Sequence, residues 1–170
     1  MDSHGFHLGR KRGIIKLKRS NRVEEEPPAM TISAILHTKG NEIITVSSDA
    51  LVADAVKLFA ERRIGAVPVI DDGNVVGIFS ERDVVYSLAR IGAGALNQRV
   101  GDVMTSPALT VAPGDPVMAA LSLMTRRRVR HLPVIDNGQT VGFVSIGDLV
   151  KYRIDKIENE AAAMRDYISS

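Results

Sequence analysis

The segment RRIGAVPVIDDGNVVGIFSERD at residues 62–83 returns 65 positions later as RRVRHLPVIDNGQTVGFVSIGD at 127–148. Upstream the register holds, with TVSSDALVADAVKLFAERRIGAVPV from Thr45 matched by TVAPGDPVMAALSLMTRRRVRHLPV from Thr110. No other property of the sequence narrows the fold as much. Both copies must build the same supersecondary unit, and a unit too small to bury its apolar face alone buries it against its twin.

Periodicity predicts what that unit is. In the first copy a short strand is expected around 43–46, then Ser48 as an N-cap, then a helix from about 49 to 63. Val52, Ala55, Val56 and Phe59 recur there at helical spacing. The β-rich runs at 66–70 and 75–79 flank Asp71-Asp72-Gly73-Asn74, which predicts a hairpin, and Ser80 with Asp83 opens a second helix toward Leu88 and Ala89. The second copy predicts a strand at 108–111, a helix after Pro113-Gly114 to about 128, strands at 131–135 and 140–144 around Asp136-Asn137-Gly138, and a helix from Ser145. Each unit is therefore expected to run β-α-β-β-α. The fold class is α/β (α+β), two repeats packed with pseudo-twofold symmetry, with a long C-terminal helix. The cleft between the halves is where function should lie.

Composition excludes several function classes. With no Cys there is no disulfide, thiolate nucleophile or Cys-based metal site, and the four scattered histidines (4, 7, 37 and 131) show no ligand spacing. Phe143 stands where a nucleophile elbow before Ser145 needs its first Gly, and no Walker-type loop occurs. No enzyme is expected, nor a catalytic cofactor or metal. Of the 22 Lys/Arg and 20 Asp/Glu, residues 1–30 hold seven bases and four acids, leaving 15 bases and 16 acids in the remainder. The folded part is not basic. The leading segment GRKRGIIKLKRSNR reads as a solvated tail or as an arm for an anionic surface, and nucleic acid is not the favoured partner. No apolar run is long enough to span a bilayer, so the expected setting is soluble and cytoplasmic.

The doubled signature Pro-Val-h-Asp-x-Gly-x-h-h-Gly-h-h-Ser-x-x-Asp, where h is apolar, closes on Ser80-x-x-Asp83 and Ser145-x-x-Asp148. Over residues 31–155 the chain resembles the cystathionine-β-synthase (CBS) domain family, whose tandem pairs form Bateman modules, and its layout resembles the short stand-alone bacterial CBS pairs. On that resemblance the chain divides into a tail (1–30), repeat one (31–95), repeat two (96–155) and a helical extension (156–170). What it implies is a non-enzymatic regulatory module. Such a module binds AMP, ADP, ATP or NAD(H), with S-adenosylmethionine a lesser candidate, and signals to a regulated protein by conformational change. The alternative is an accessory interaction factor with vestigial sites.

The residues agree with that implication. Ser80 and Ser145 sit where a strand becomes a helix, so free N–H groups and the positive dipole end face the cleft. Asp83 and Asp148 offer paired oxygens to the hydroxyls of a ribose, or else serve only as capping-box residues of their own helices. By the resemblance, Arg130 and His131 would reach phosphate, and the ligand of Asp148 would also touch Thr38, Ile43, Ile64, Gly65 and Ala66. In the mirror site Ser80 and Asp83 would join Thr105 and Ala108, with Arg82 reaching phosphate. Repeat one has Gly65-Ala66 where repeat two has Arg130-His131, so the two sites should differ.

Finally, Val150, Ile154, Ile157, Ala161, Met164 and Ile168 are spaced as a heptad seam. This seam either packs on its own module or pairs with a second chain, and a homodimer is the expectation.

Overall fold

The computed structural model of the chain describes residues 30–40 and 42–169. Residues 1–29, which include the basic segment, lie outside the described residues.

Two hairpins form the frame. Strand β1 (Ala66–Asp71) pairs antiparallel with β2 (Asn74–Ser80), Ala66 opposite Ser80 and Asp71 opposite Asn74. Strands β3 (His131–Asp136) and β4 (Gln139–Ser145) repeat this register 65 positions on, including the irregularity after Val69 and after Val134. The two-residue loops explain the tightness. Asp72 and Gly73 have φ of 49° and 80°, Asn137 and Gly138 of 48° and 79°, so both central residues are left-handed, as a turn matched to strand twist requires.

The predicted first strands are shorter than their sequences suggest. Val46 pairs in parallel with Val69, and Val111 with Val134, as single bridges. The cause is an immediate turn: Ala50 N–H donates to Ser47 O, and Asp115 N–H to Ala112 O, pulling the chain off the sheet. The same turn displaces the expected N-cap. Ser48 donates its N–H to Asp71 Oδ1 at 3.0 Å, and helix α2 (Val52–Arg62) starts after Leu51 instead.

The helices after Ser80 and after Pro113-Gly114 follow the pattern, and the sequence forecasts neither of the two short ones between them. Helix α3 spans Glu81–Ile91, a 3-10 turn covers Gly92–Asn97, and a short α4 (Val100–Val103) leads to α5 (Val117–Arg127). The C-terminal helix is one continuous rod, Ile146–Ser169, so the last turns extend the repeat-two helix without a break. It is numbered α6 here.

Besides α4, one longer helix carries no sequence forecast. Ile32–Lys39 forms α1, and its Ile32, Ile35 and Leu36 are buried with Val117, Met124, Leu132, Val134, Val144 and Leu149, all of the second repeat. Ile32 N–H donates to Asp115 O and Val117 N–H to Met30 O, which ties α1 to the entrance of α5. Its counterpart is α4, whose Val100 is buried with Val52, Phe59, Val67 and Phe79 of the first repeat. Each half thus completes its core with a segment that precedes the other half in the chain. Gly142 and Gly77 make this possible. A Cβ on Gly142 would meet Leu36 Cδ2 at 2.5 Å, and one on Gly77 would meet Met104 Sδ at 2.6 Å and Thr105 O at 2.9 Å.

Candidate functional site

The two hairpins deliver Ser80 and Ser145 to the point where strand turns into helix. Each helix start is tied back to the head of its own hairpin. Glu81 N–H, the first of α3, donates to Gly65 O at 3.0 Å, and Ile146 N–H, the first of α6, donates to Arg130 O at 2.8 Å. The later amides of each first turn have no carbonyl behind them.

In the first cleft Asp83 is buried and accepts three hydrogen bonds. Its Oδ2 accepts from Ser80 N–H at 2.8 Å and from Ser80 Oγ at 2.6 Å, and its Oδ1 accepts from Thr105 Oγ1 at 2.8 Å. Thr105 is itself fixed by two 2.9 Å backbone bonds with Ile78. Beside the carboxylate the cleft is lined by Gly65, Arg82, Arg130 and His131. Arg82 donates from Nη1 to Arg128 O at 2.7 Å, bracing α3 against the end of α5, where Arg128 is left-handed at φ 55°. Arg130 and His131 line the cleft of Asp83 together with Arg82, so both arginines gather there. Ala108, half-buried three residues beyond Thr105, is not among the residues that line it.

The second cleft repeats the frame with other side chains. Asp148 Oδ2 accepts from Ser145 N–H at 2.8 Å, and Asp148 N–H donates to Ser145 Oγ at 3.1 Å. Lys39, absent from the sequence-based site, takes the place that Thr105 has in the first. Its Nζ donates to Asp148 Oδ2 at 2.6 Å and to Phe143 O at 3.0 Å. Thr38 bonds its hydroxyl to Ala34 O at 3.1 Å along its own helix. Lys39, Ile43, Ile64, Ala66 and Phe143 line the apolar part, while Gly65 opens to the first cleft. A signal for Lys39 exists in the sequence: His37-Thr38-Lys39 parallels Met104-Thr105-Ser106, so a lysine stands where the other repeat has a serine.

Electrostatics differ accordingly. Burial works against charge on Asp148, but the Lys39 ammonium and the Ser145 donors outweigh it and hold the carboxyl below its ordinary value. His131 is pushed below its ordinary value by burial and by the Lys39 charge, against the pull of Asp148 and with help from Arg130. The shift favours the neutral ring, which can donate one hydrogen bond and accept another. Among the described residues no cluster of three or more His, Asp or Glu is arranged to hold a metal ion. No helix among them is long and apolar enough to cross a membrane.

The CBS domain family model matches residues 32–90 and 100–155, both halves of this frame. The chain belongs to the CBS-domain family. The CBS pair it forms is a regulatory module by type, and its relatives include stand-alone pairs. It is similar to the CBS domain-containing protein CBSX3, mitochondrial, of Arabidopsis thaliana, 34% identical over 157 residues, covering 86% of this chain and 76% of that protein. The CBS-domain containing protein ATU1752 from Agrobacterium tumefaciens is 39% identical and superposes with a TM-score of 0.71 over 74% of this chain and 94% of its own. The CBS pair of MJ0100, crystallised with 5′-methylthioadenosine and S-adenosylmethionine, shares the fold at 24% identity and a TM-score of 0.67, over 76% and 99% of the two chains.

Proposed function

We propose that this CBS pair is a non-enzymatic sensor that binds adenine nucleotides in its two clefts and passes occupancy to a regulated protein. The observation that carries the proposal is the first cleft. A buried carboxylate, Asp83, is aligned by Ser80 and Thr105 beneath three potential phosphate donors, Arg82, Arg130 and His131. A carboxylate suits the two hydroxyls of a ribose, and a forked guanidinium suits phosphate. Helix N-terminal amides beside them favour an anion further. AMP, ADP, ATP and NAD(H) offer both groups, and S-adenosylmethionine offers the ribose without the phosphate. The MJ0100 complex supports the idea at the level of the fold, which can hold adenosine ligands.

The test is thermal melting and calorimetric titration of nucleotide-stripped protein with AMP, ADP, ATP, NAD⁺, NADH and S-adenosylmethionine, beside Asp83→Asn. A ligand that raises Tm in the parent and loses its effect in the variant supports the proposal. If none shifts the melt and none releases heat, the module is an accessory factor acting by protein contact.

A second-copy partner is part of the same proposal. Val150, Ile154, Ile157, Met164 and Ile168 are exposed along α6 at heptad spacing, a seam that a twofold-related α6 would cover.

A further inference from the structure

The two clefts share one frame and answer its carboxylate differently. Asp83 meets a neutral hydroxyl, Thr105, whereas Asp148 meets a cation, Lys39, at 2.6 Å. We propose that Lys39 is a built-in occupant of the second cleft, holding Asp148 against any ribose until it is displaced, so that the clefts fill in order with Asp83 first. The proposal rests on reading the clefts as nucleotide sites and adds an internal competitor to one of them.

Three observations carry it. First, Asp148 Oδ2 already holds Lys39 Nζ and the Ser145 N–H, so a ribose whose two hydroxyls would take both carboxylate oxygens finds one of them in a charge-assisted bond. Second, Lys39 is anchored twice, to the carboxylate and to Phe143 O at 3.0 Å, so its ammonium lies across the cleft between β4 and the start of α6. Third, the lysine is built to leave. Its side chain is 41% exposed at the end of α1, where a four-carbon tether reaches water easily, and Asp148 remains 24% exposed behind it. Among the described residues no cation is bonded to Asp83, and its Oδ1, holding only the neutral hydroxyl of Thr105, keeps an acceptor site that a ligand can share.

The consequence follows from mass action. When the competent form is only a fraction of the population, the apparent Kd rises by the inverse of that fraction. A lysine seated nine-tenths of the time weakens the second cleft about tenfold. A phosphate beside the cleft could draw the ammonium away, but a neutral nucleoside has nothing to offer it, so adenosine is the probe that isolates the competition.

The experiment titrates adenosine, with AMP in parallel, into nucleotide-stripped parent, Lys39→Met and Lys39→Gln proteins by calorimetry, after melting curves establish that all three are folded. The expected result is one adenosine per parent chain and two per variant chain, the second with a Kd tightened on the order of tenfold. Adding Asp148→Asn to Lys39→Met should abolish the gained site and leave the first. Equal stoichiometry and affinity in parent and variants, or a second site weakened by the substitutions, overturns Lys39 as competitor while leaving the nucleotide reading standing. No binding of adenosine or AMP to any of the proteins overturns Lys39 as competitor, and the nucleotide reading falls with it only if ADP, ATP, NAD(H) and S-adenosylmethionine also fail to bind.

Discussion

His131 and Phe143 stack ring on ring, centroids 5.5 Å apart and 12° from parallel, and form the wall between the two clefts. The imidazole lines the cleft of Asp83, and the phenyl lines the cleft of Asp148 and offers its carbonyl to Lys39. Because burial and Lys39 depress its pKa, the folded state favours neutral His131 over its ordinary value of 6.5. Its contribution is full above that pH and is lost as pH falls below it. Urea midpoints measured from about pH 7.5 to about pH 5 should therefore decline, and His131→Phe should flatten that decline. An unchanged slope in the variant would remove His131 as its source.

The Asp148 carboxyl predicts a second, more acidic window. Its folded pKa lies below the ordinary 3.8, so its stabilisation is present above that value and disappears as pH falls through the folded one. Asp148→Asn should cost stability at neutral pH and almost none at the acid end, read as converging denaturation midpoints. The cost should stay modest, because Lys39 is substantially exposed and screened by water.

Removing the Thr105 hydroxyl tests the first cleft. Thr105→Val keeps the shape and deletes the 2.8 Å bond to Asp83, leaving one carboxylate oxygen without that donor. A stability loss of about 1 kcal/mol is expected in urea denaturation. Whatever ligand raises Tm in the parent should raise it less in the variant, whereas Thr38→Val, whose hydroxyl serves its own helix, should leave ligand stabilisation unchanged.

Two glycines should behave differently when filled. Gly142→Ala collides with the end of the flexible Leu36 side chain, and pairing it with Leu36→Val should recover part of the loss. Gly77→Ala also meets Thr105 O at 2.9 Å, backbone that cannot retract, so Met104→Ala should rescue it poorly. Overpacking of this kind costs roughly 1–3 kcal/mol, and ligand binding at Asp83 should suffer in the Gly77 variant because Thr105 moves. Equal rescue of the two would contradict the geometry.

For the α6 seam, Ile154→Asp with Ile157→Asp places charge on two exposed apolar positions. Sedimentation or light scattering should report a shift from dimer to monomer with Tm of the module preserved. A parent chain already monomeric at micromolar concentration would refute the proposed pairing.

What the sequence discloses tracks how local each cause is. The hairpins, their Asp72-Gly73 and Asn137-Gly138 turns, and the helices after Ser80 and Ser145 are fixed by patterns within a few residues, and duplication shows each pattern twice. Helix α1 escaped because Ile32, Ile35 and Leu36 owe their burial to residues of the second repeat, far along the chain. Lys39 escaped likewise, for Asp148 lies 109 positions away. The family resemblance brings Arg130, His131 and Asp83 all into view as site residues. Which half each strand head faces is settled only by how the repeats cross, and the cross puts Arg130 and His131 beside Asp83.

The traded segments α1 and α4 make the covalent link between the halves almost redundant. A protease cut within Gly92–Asn97 would yield one fragment carrying α1 and another carrying α4, each holding a piece of the other's interior. Such fragments should behave as a lock and its own key, staying together after the chain is severed and finding each other again when expressed apart. Neither would be a free-standing domain. The pair is a single object that merely happens to be written on the gene as two.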